Sequence, residues 1–157
     1  MKVLFLDHDG VICLVLEWGG RFGRDREGLD SVFDDFAPYA IETLNEIIEA
    51  TDCEIVVSSD WRHHATLEQM QELYKVRGIK KSPIGMTGVA DYSTVQKLER
   101  ARCIEIRQYL EKHPEITKWV AVDDMDLSSL GNFVMTPSSG LGIHQEGIKE
   151  KIIAYLT

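Results

Sequence analysis

A chain of 157 residues, 44% hydrophobic and 27% charged, has the composition of an ordinary globular protein and is long enough to bury roughly two-thirds of its unfolded surface in one core. Its formal net charge of -9 excludes a general nucleic-acid coat protein, which needs a basic footprint. The longest apolar run, Val11 to Leu16, is far short of the ~20 residues that span a bilayer, and Asp7 and Asp9 interrupt any signal-peptide core, so the expectation is a cytoplasmic protein with no membrane partner.

The first predicted element is a strand over Lys2 to Leu6 (KVLFL), which runs straight into Asp7-His8-Asp9-Gly10. Residues Val11 to Ala37, with Gly19, Gly20, Gly23 and Gly28, read as a long loop of the kind that is functional or disordered, and its Arg21, Arg24 and Arg26 read either as substrate contacts or, the favoured reading, as solvated charges. Pro38 suits a first helical turn, Ile41, Leu44, Ile47 and Ile48 then share one face, and Thr51-Asp52 ends the helix. A second strand, Glu54 to Val57 (EIVV), precedes Ser58-Ser59-Asp60-Trp61-Arg62. Leu67, Met70 and Tyr74 mark a helix that Gly78 stops, and Gly78 to Tyr92, with Pro83, Gly85 and Gly88, reads as a second loop insertion. Ser93 or Thr94 is the expected cap of a long helix carrying Val95, Leu98, Ile106 and Leu110, ended by His113-Pro114. Strands follow at Trp119 to Val122 (WVAV), closed by Asp123-Asp124, and at Asn132 to Met135, and a last helix has Ile148, Ile152 and Leu156 on one face.

Continuous apolar strands alternating with amphipathic helices predict an α/β domain with a parallel sheet covered on both sides. The whole chain, 1–157, reads as one such domain with loop insertions at about 11–37 and 78–92. Cys13, Cys53 and Cys103 are odd in number, widely spaced and without a CxxC pair, so they are expected to be reduced core residues.

Ligands of open parallel sheets bind beyond the carboxyl ends of the strands. Asp7 and Asp9, Ser58 and Ser59, and Asp123 and Asp124 all follow predicted strands at that rim. Four carboxylates together would cost several kcal/mol of repulsion and desolvation without a cation, and hard oxygen donors of this kind suit Mg²⁺. Strand alternation turns His8 away from its two neighbours, so packing is its expected role. His63-His64 resembles half a metal site, but adjacent helical residues diverge by about 100° and no third ligand is evident. The segment Arg62 to Arg102 carries a local net charge of +4 in an acidic chain; it reads either as a surface for an anionic substrate or as a solvated face.

Together, Asp7-His8-Asp9-Gly10-Val11 after a strand, Ser58 ending IVVSS, a basic residue on a later helix and Asp123-Asp124 ending VAVDD resemble the four ordered motifs of the haloacid dehalogenase (HAD) superfamily. IVVSSDWR, the arginine of RCIEIRQYL and AVDD are similar to the small branch known from multidomain "Swiss army knife" RNA-repair proteins. The resemblance implies a Rossmann-like three-layer sandwich with a mostly parallel central sheet and a cap that is absent or minimal. It also implies a phosphatase in which Asp7 is the nucleophile, forming an aspartyl-phosphate, and Asp9 moves protons to the leaving oxygen and from water.

Under the same resemblance Gly10 permits a tight turn that presents amides to phosphate, and Arg102 stabilises transition-state charge. Ser58 and Ser59 both qualify as the hydroxyl on a phosphoryl oxygen, with Ser58 favoured because it directly follows the strand. Mg²⁺ would lie on Asp7, Asp124 and the Asp9 carbonyl, with Asp123 either a ligand through water or the partner of the basic residue. Trp61 and Arg62 read equally as substrate contacts or as packing at a helix start. A site without a cap, unless a second subunit of a homodimer covers it, admits a phosphorylated small molecule, a nucleotide or a nucleic-acid end. Dehalogenation does not need Asp9, and phosphonate cleavage wants a substantial cap; phosphotransfer as in a mutase, and a non-catalytic binding domain that kept the fold, stand as alternatives.

Overall fold

Val3, Leu4, Phe5 and Leu6 have no exposed surface, as a continuous apolar run requires of a strand covered on both faces. The computed structural model, which describes residues 1–15, 35–90 and 97–157, places this strand, β1 (Lys2–Leu6), at the centre of a five-stranded sheet. Its neighbours are β2 (Glu54–Val57) and β4 (Lys118–Asp123), and the edges are β3 (Gly85–Met86) and β5 (Phe133–Met135). The order is β3-β2-β1-β4-β5 with every pair parallel.

Helices α1 (Pro38–Thr51), α2 (Leu67–Val76), α3 (Leu98–Lys112) and α4 (Ile148–Leu156) complete three layers. Strand alternation sorts the core. Leu4, Leu6, Ile55, Val57, Val120 and Val122 pack with residues of α1, α2 and α4, among them Leu44, Ile47, Met70, Tyr74, Ile148 and Ile152. Val3, Phe5, Val56 and Ala121 pack under α3 with Cys103 and Ile106, where Phe5 meets Tyr109 and Trp119 edge-on at 5.7 and 5.9 Å. This is the Rossmann-like α/β sandwich expected.

Local signals explain most boundaries. Pro38 occupies the first turn of α1, and Asp52 ends that helix in the left-handed region at φ 54°. A reciprocal capping box between Thr66 and Gln69 starts α2. Three expectations need correction. The segment read as a loop over 78–92 contains β3, whose two residues are too few to show alternation, and a Cβ on Gly85 would meet the Tyr109 hydroxyl. The helix expected to follow Ser93 or Thr94 starts at Leu98, with Lys97 at its N-cap and no side-chain cap, and Leu98 is exposed; Ser93, Thr94 and Val95 themselves lie outside the described residues, as do Arg21, Arg24 and Arg26. The fourth strand runs one residue further than read and includes Asp123. All three cysteines are buried and none is in a disulfide, and among the described residues no helix is long and apolar enough to cross a membrane.

The core assignment is tested by a pair of leucines in urea denaturation. Leu44→Ala, at a fully buried site, is expected to cost about 2–5 kcal/mol, whereas Leu98→Ala on the exposed start of α3 should change stability by less than about 0.5 kcal/mol.

Candidate active site

Sheet register builds the site. Leu6 pairs with Val57 on one side and Val122 on the other, and Val57 pairs with Met86. The ladder continues one residue beyond these pairs: the Asp7 amide donates to Val122 O (3.1 Å), that of Ser58 to Leu6 O (2.9 Å) and that of Thr87 to Val57 O (3.0 Å). Thr87, Ser58, Asp7 and Asp123 therefore form a row across the carboxyl rim. Alternation puts Asp7, Ser58 and Asp123 on the same face as Phe5, Val56 and Ala121, the face covered by α3.

Helix α3 brings Arg102 to this row. Its Nη1 lies 2.9 Å from Asp123 Oδ2 and 3.4 Å from Asp7 Oδ1, and its Nη2 lies 3.1 Å from Asp60 Oδ1. The second oxygen of Asp123 accepts from the Met125 amide at 2.9 Å. Asp7, Asp123 and the exposed Asp124 each offer an oxygen within 4.8 Å of the others. The Asp9 carboxylate is outside this group: its Oδ1 accepts from Trp61 Nε1 at 3.2 Å.

The turn after β1 closes on itself. The amides of Val11, Ile12 and Cys13 all donate to His8 O, and the Gly10 amide donates to Cys13 O at 2.9 Å. The amides of residues 10 to 13 are thus used within the turn itself. What Gly10 supplies is space. At φ +79° a Cβ would fall 2.5 Å from Asp124 Oδ2, so only glycine lets the turn and the end of β4 approach this closely. Thr136 Oγ1, from beyond β5, donates to the Gly10 carbonyl at 2.9 Å and fixes the turn from that side.

Electrostatically the rim is crowded with negative charge. Burial first, then Asp123 and Asp124, push the Asp7 pKa well above the ordinary carboxylate value, against the opposing pull of Arg102 and the His8 amide. Burial likewise raises Asp123 to about 6 although Arg102 and Met125 hydrogen-bond it. Burial works against the Arg102 charge, but Asp7, Asp123 and Asp60 outweigh it and hold the guanidinium above its usual pKa. Three carboxylate oxygens this close, two of them on groups whose pKa burial and neighbouring carboxylates raise, are a donor set suited to a hard divalent cation. Ser58 Oγ, also buried, has no hydrogen-bond partner among the described residues, and the same holds for Thr87 Oγ1.

The other residues singled out in the sequence lie around this row. Ser59 Oγ accepts from the Trp61 amide at 3.4 Å and caps the 3₁₀ turn Asp60–His63. Arg62, read as a possible substrate contact, turns inward: Nη1 donates to Ser59 O at 2.9 Å and Nη2 pairs with buried Glu105 at 2.5 Å. Glu105 also accepts from the Ala90 amide at 3.1 Å, so Arg62 ties the β2 turn to α3 and to the stretch after β3. His63 and His64 are exposed and stand apart from the carboxylate group. His8 is fully buried, with Nε2 2.6 Å from Tyr74 Oη, and burial takes its pKa down to about 3, which keeps the ring neutral in the core.

Among the described residues of the +4 segment, several cations are paired within the protein, while Lys97 and Arg100 line a groove along α3. Besides Arg62 and Arg102, Arg77 pairs with Asp35, Lys80 with Glu49 and Lys81 with Asp52 and Glu54. Sequence reasoning gave no role to Asp60, Glu105 or Thr87. Glu105 stands three residues after Arg102 and looks like half of a solvated helix pair; only the inward turn of Arg62 makes it a buried partner. Thr87 follows a strand too short to be read.

The raised carboxylates set a pH dependence. A folded-state pKa above the unfolded value adds stability that is complete below the unfolded pKa and is lost as pH rises through the folded one. Metal-free protein should therefore lose stability between about pH 4 and pH 7, by up to about 3 kcal/mol from Asp123. Chemical denaturation in chelator across that range measures it, and Asp123→Asn should flatten the decline.

The family described as "HAD domain in Swiss Army Knife RNA repair proteins" matches residues 3–146, a span that takes in the rim and all of the sheet but Lys2 and leaves out the first two residues and the segment carrying α4. No curated protein and no solved structure gives a significant match. With almost the whole chain matched and the sheet expected of the fold in place, the chain belongs to the haloacid dehalogenase domain family of the Swiss Army Knife RNA repair proteins.

Proposed function

We propose that the protein is a Mg²⁺-dependent phosphomonoesterase working through an aspartyl-phosphate on Asp7. The observation that carries this reading is the convergence of Asp7, Asp123 and Asp124 within 4.8 Å beside the Arg102 guanidinium, 3.4 Å from Asp7. Family membership supports a phosphohydrolase kind of function. Asp7 and Asp124, with the Asp9 carbonyl, would hold the cation directly; Asp123, both of whose oxygens already accept from Arg102 and Met125, would reach it through water. When bound, Mg²⁺ offsets the repulsion among the carboxylates and the charge of the phosphoryl oxygens.

The chain's own groups then divide the work. An Asp7 oxygen attacks phosphorus, the bond from phosphorus to the leaving oxygen breaks, and that oxygen takes a proton from Asp9. Water next attacks the acyl phosphate and gives its proton to Asp9, releasing orthophosphate and restoring the Asp7 carboxylate. Ser58 Oγ, which has no hydrogen-bond partner among the described residues, donates to a phosphoryl oxygen. Arg102, held in place by Asp123 and Asp60, faces the charge that develops on those oxygens.

A nucleotide or polynucleotide end is the substrate class we favour. A groove of about 540 Å³ runs along α3 beside the loop after β4 and is lined by Lys97, Arg100, Arg107, Ser128 and Ser129, with Glu99 and Asp126. Its three basic side chains suit the phosphates of a chain leading into the site.

The test is orthophosphate release from an aryl phosphate, a nucleoside monophosphate and phosphorylated RNA and DNA ends, with Mg²⁺ or with chelator. Asp7→Asn should lower turnover by at least about 10³-fold, and chelator should abolish it. Ser58→Ala should cut activity while leaving stability unchanged or raising it by about 1 kcal/mol, because it removes a buried hydroxyl without a partner. Turnover that survives Asp7→Asn would refute the covalent route. Transfer of phosphate to an acceptor other than water would make the protein a transferase, and no turnover of any substrate would leave a binding domain.

A further inference from the structure

We propose that Asp60 is a positioning residue for Arg102: its carboxylate holds the guanidinium plane at Nη2 throughout the reaction, while the groups at Nη1 change. The inference rests on the phosphomonoesterase reading and gives a role to a residue that the sequence analysis passed over.

Arg102 is 3% exposed, and its Nε has no hydrogen-bond partner among the described residues. The orientation of its plane is therefore set at the two Nη atoms. Nη1 faces Asp123 at 2.9 Å and Asp7 at 3.4 Å, and both belong to the group of carboxylates that converge at the rim. Asp7, moreover, gives up its carboxylate charge when it forms the acyl phosphate. Among the described residues Nη2 faces Asp60 alone, at 3.1 Å, and Asp60 belongs neither to that group nor to the reacting atoms. A planar fork held at one end can swing about that contact; held at both ends it keeps one orientation. Asp60 thus supplies the end that stays the same from free enzyme to acyl phosphate.

Asp60 is itself kept in place. It is the first residue of the 3₁₀ turn Asp60–His63, whose N-cap is Ser59. Its Oδ1 also lies 3.9 Å from Nη1 of Arg62, and Arg62 is fixed by Ser59 O at 2.9 Å and by Glu105 at 2.5 Å. Arg102 and Glu105, three residues apart on α3, share one side of that helix. Charges of alternating sign therefore run Arg102, Asp60, Arg62, Glu105 between the helix and the turn. Two guanidiniums approach the same Asp60 oxygen, and its charge offsets their repulsion at that point. The Asp60 side chain is 54% exposed, so its ion pairs contribute little to stability, and their loss is read in rate rather than in folding.

The experiment measures kcat/KM for p-nitrophenyl phosphate with Mg²⁺ in wild-type protein, Asp60→Asn, Asp60→Glu, Arg102→Lys and the double variant Asp60→Asn with Arg102→Lys. A catalytic group misplaced by about 1 Å can cost about 10²-fold. Asp60→Asn should accordingly lower kcat/KM by about 10- to 100-fold, while the melting temperature moves by less than about 4 °C. Asp60→Glu, which keeps the charge, should recover most of the loss. A lysine has one nitrogen and no fork to orient, so in the Arg102→Lys background Asp60→Asn should cost less than about 3-fold. Losses that multiply in the double variant, or an Asp60→Asn enzyme as fast as wild type, would overturn the proposal. Glu49→Gln, which removes a similarly exposed carboxylate paired with Lys80, controls for net charge and should leave the rate unchanged; a loss equal to that of Asp60→Asn would also overturn it.

A second readout does not need turnover. The Arg102 Nε–H resonance, assigned by its disappearance in Arg102→Lys, should shift in Asp60→Ala, where the acceptor at Nη2 is gone. An unmoved resonance overturns the contact whatever the activity. If wild-type protein with Mg²⁺ releases no phosphate, the phosphomonoesterase reading falls, and with it any part for Asp60 in catalysis; multiplying losses in an active enzyme overturn the role of Asp60 alone.

Discussion

The crowding of carboxylates at the carboxyl end of the central strands is the constraint to which the rest of the structure answers. Parallel pairing of β1 with β4 sets Asp7 beside Asp123, and the next residue, Asp124, closes on the Gly10 turn. Each of these groups would be better hydrated alone. Arg102 offsets part of the cost, and to do so it is almost wholly withdrawn from water, held between Asp7, Asp123 and Asp60. A buried guanidinium with that many acceptors is itself stable only while they stay charged, so the helix that carries it and the strands that carry them are fixed relative to one another.

A second ionic contact supports the first at one remove. Arg62 and Glu105 are both buried and joined at 2.5 Å, and Glu105 lies on the same helix as Arg102, about one turn on. Breaking such a pair leaves one charge without a partner in a dry place, which is why buried pairs hold geometry better than they add net stability. Here the geometry held is that of the Ser58–Arg62 turn, whose members supply the unpartnered hydroxyl and the indole on Asp9. The two aspartates of the first motif are thereby given separate surroundings: Asp7 among charges on the α3 side, Asp9 against an aromatic wall. Such separation is what lets two like groups differ in role.

Much of this was legible in the sequence. Continuous apolar runs at KVLFL, EIVV and WVAV marked the central strands because burial on both faces leaves no alternation to read, and the polar residues that end each run placed the rim. The burial of His8 follows from strand alternation alone. What escaped was whatever depends on a partner from another element. An arginine at position 62 looks like a surface charge until Glu105 is brought to it; a tryptophan at 61 is ambiguous until Asp9 is seen at its N–H; two residues of β3 carry no period at all. The tight turn after β1 was foreseen, but the atoms it serves were not, since the need for Gly10 is set by the position of Asp124.

That contact has a consequence for how the chain folds. Gly10 and Asp124 lie near opposite ends of the chain, and no local segment holds even two of the three converging carboxylates apart from Asp123 and its neighbour. Closing so long a loop is entropically costly and slow, and contacts of this range form late. The repulsive site therefore arises only when β1 and β4 pair. A cation captured there would recognise the finished sheet and nothing before it, acting as a latch on the native topology as well as a reagent.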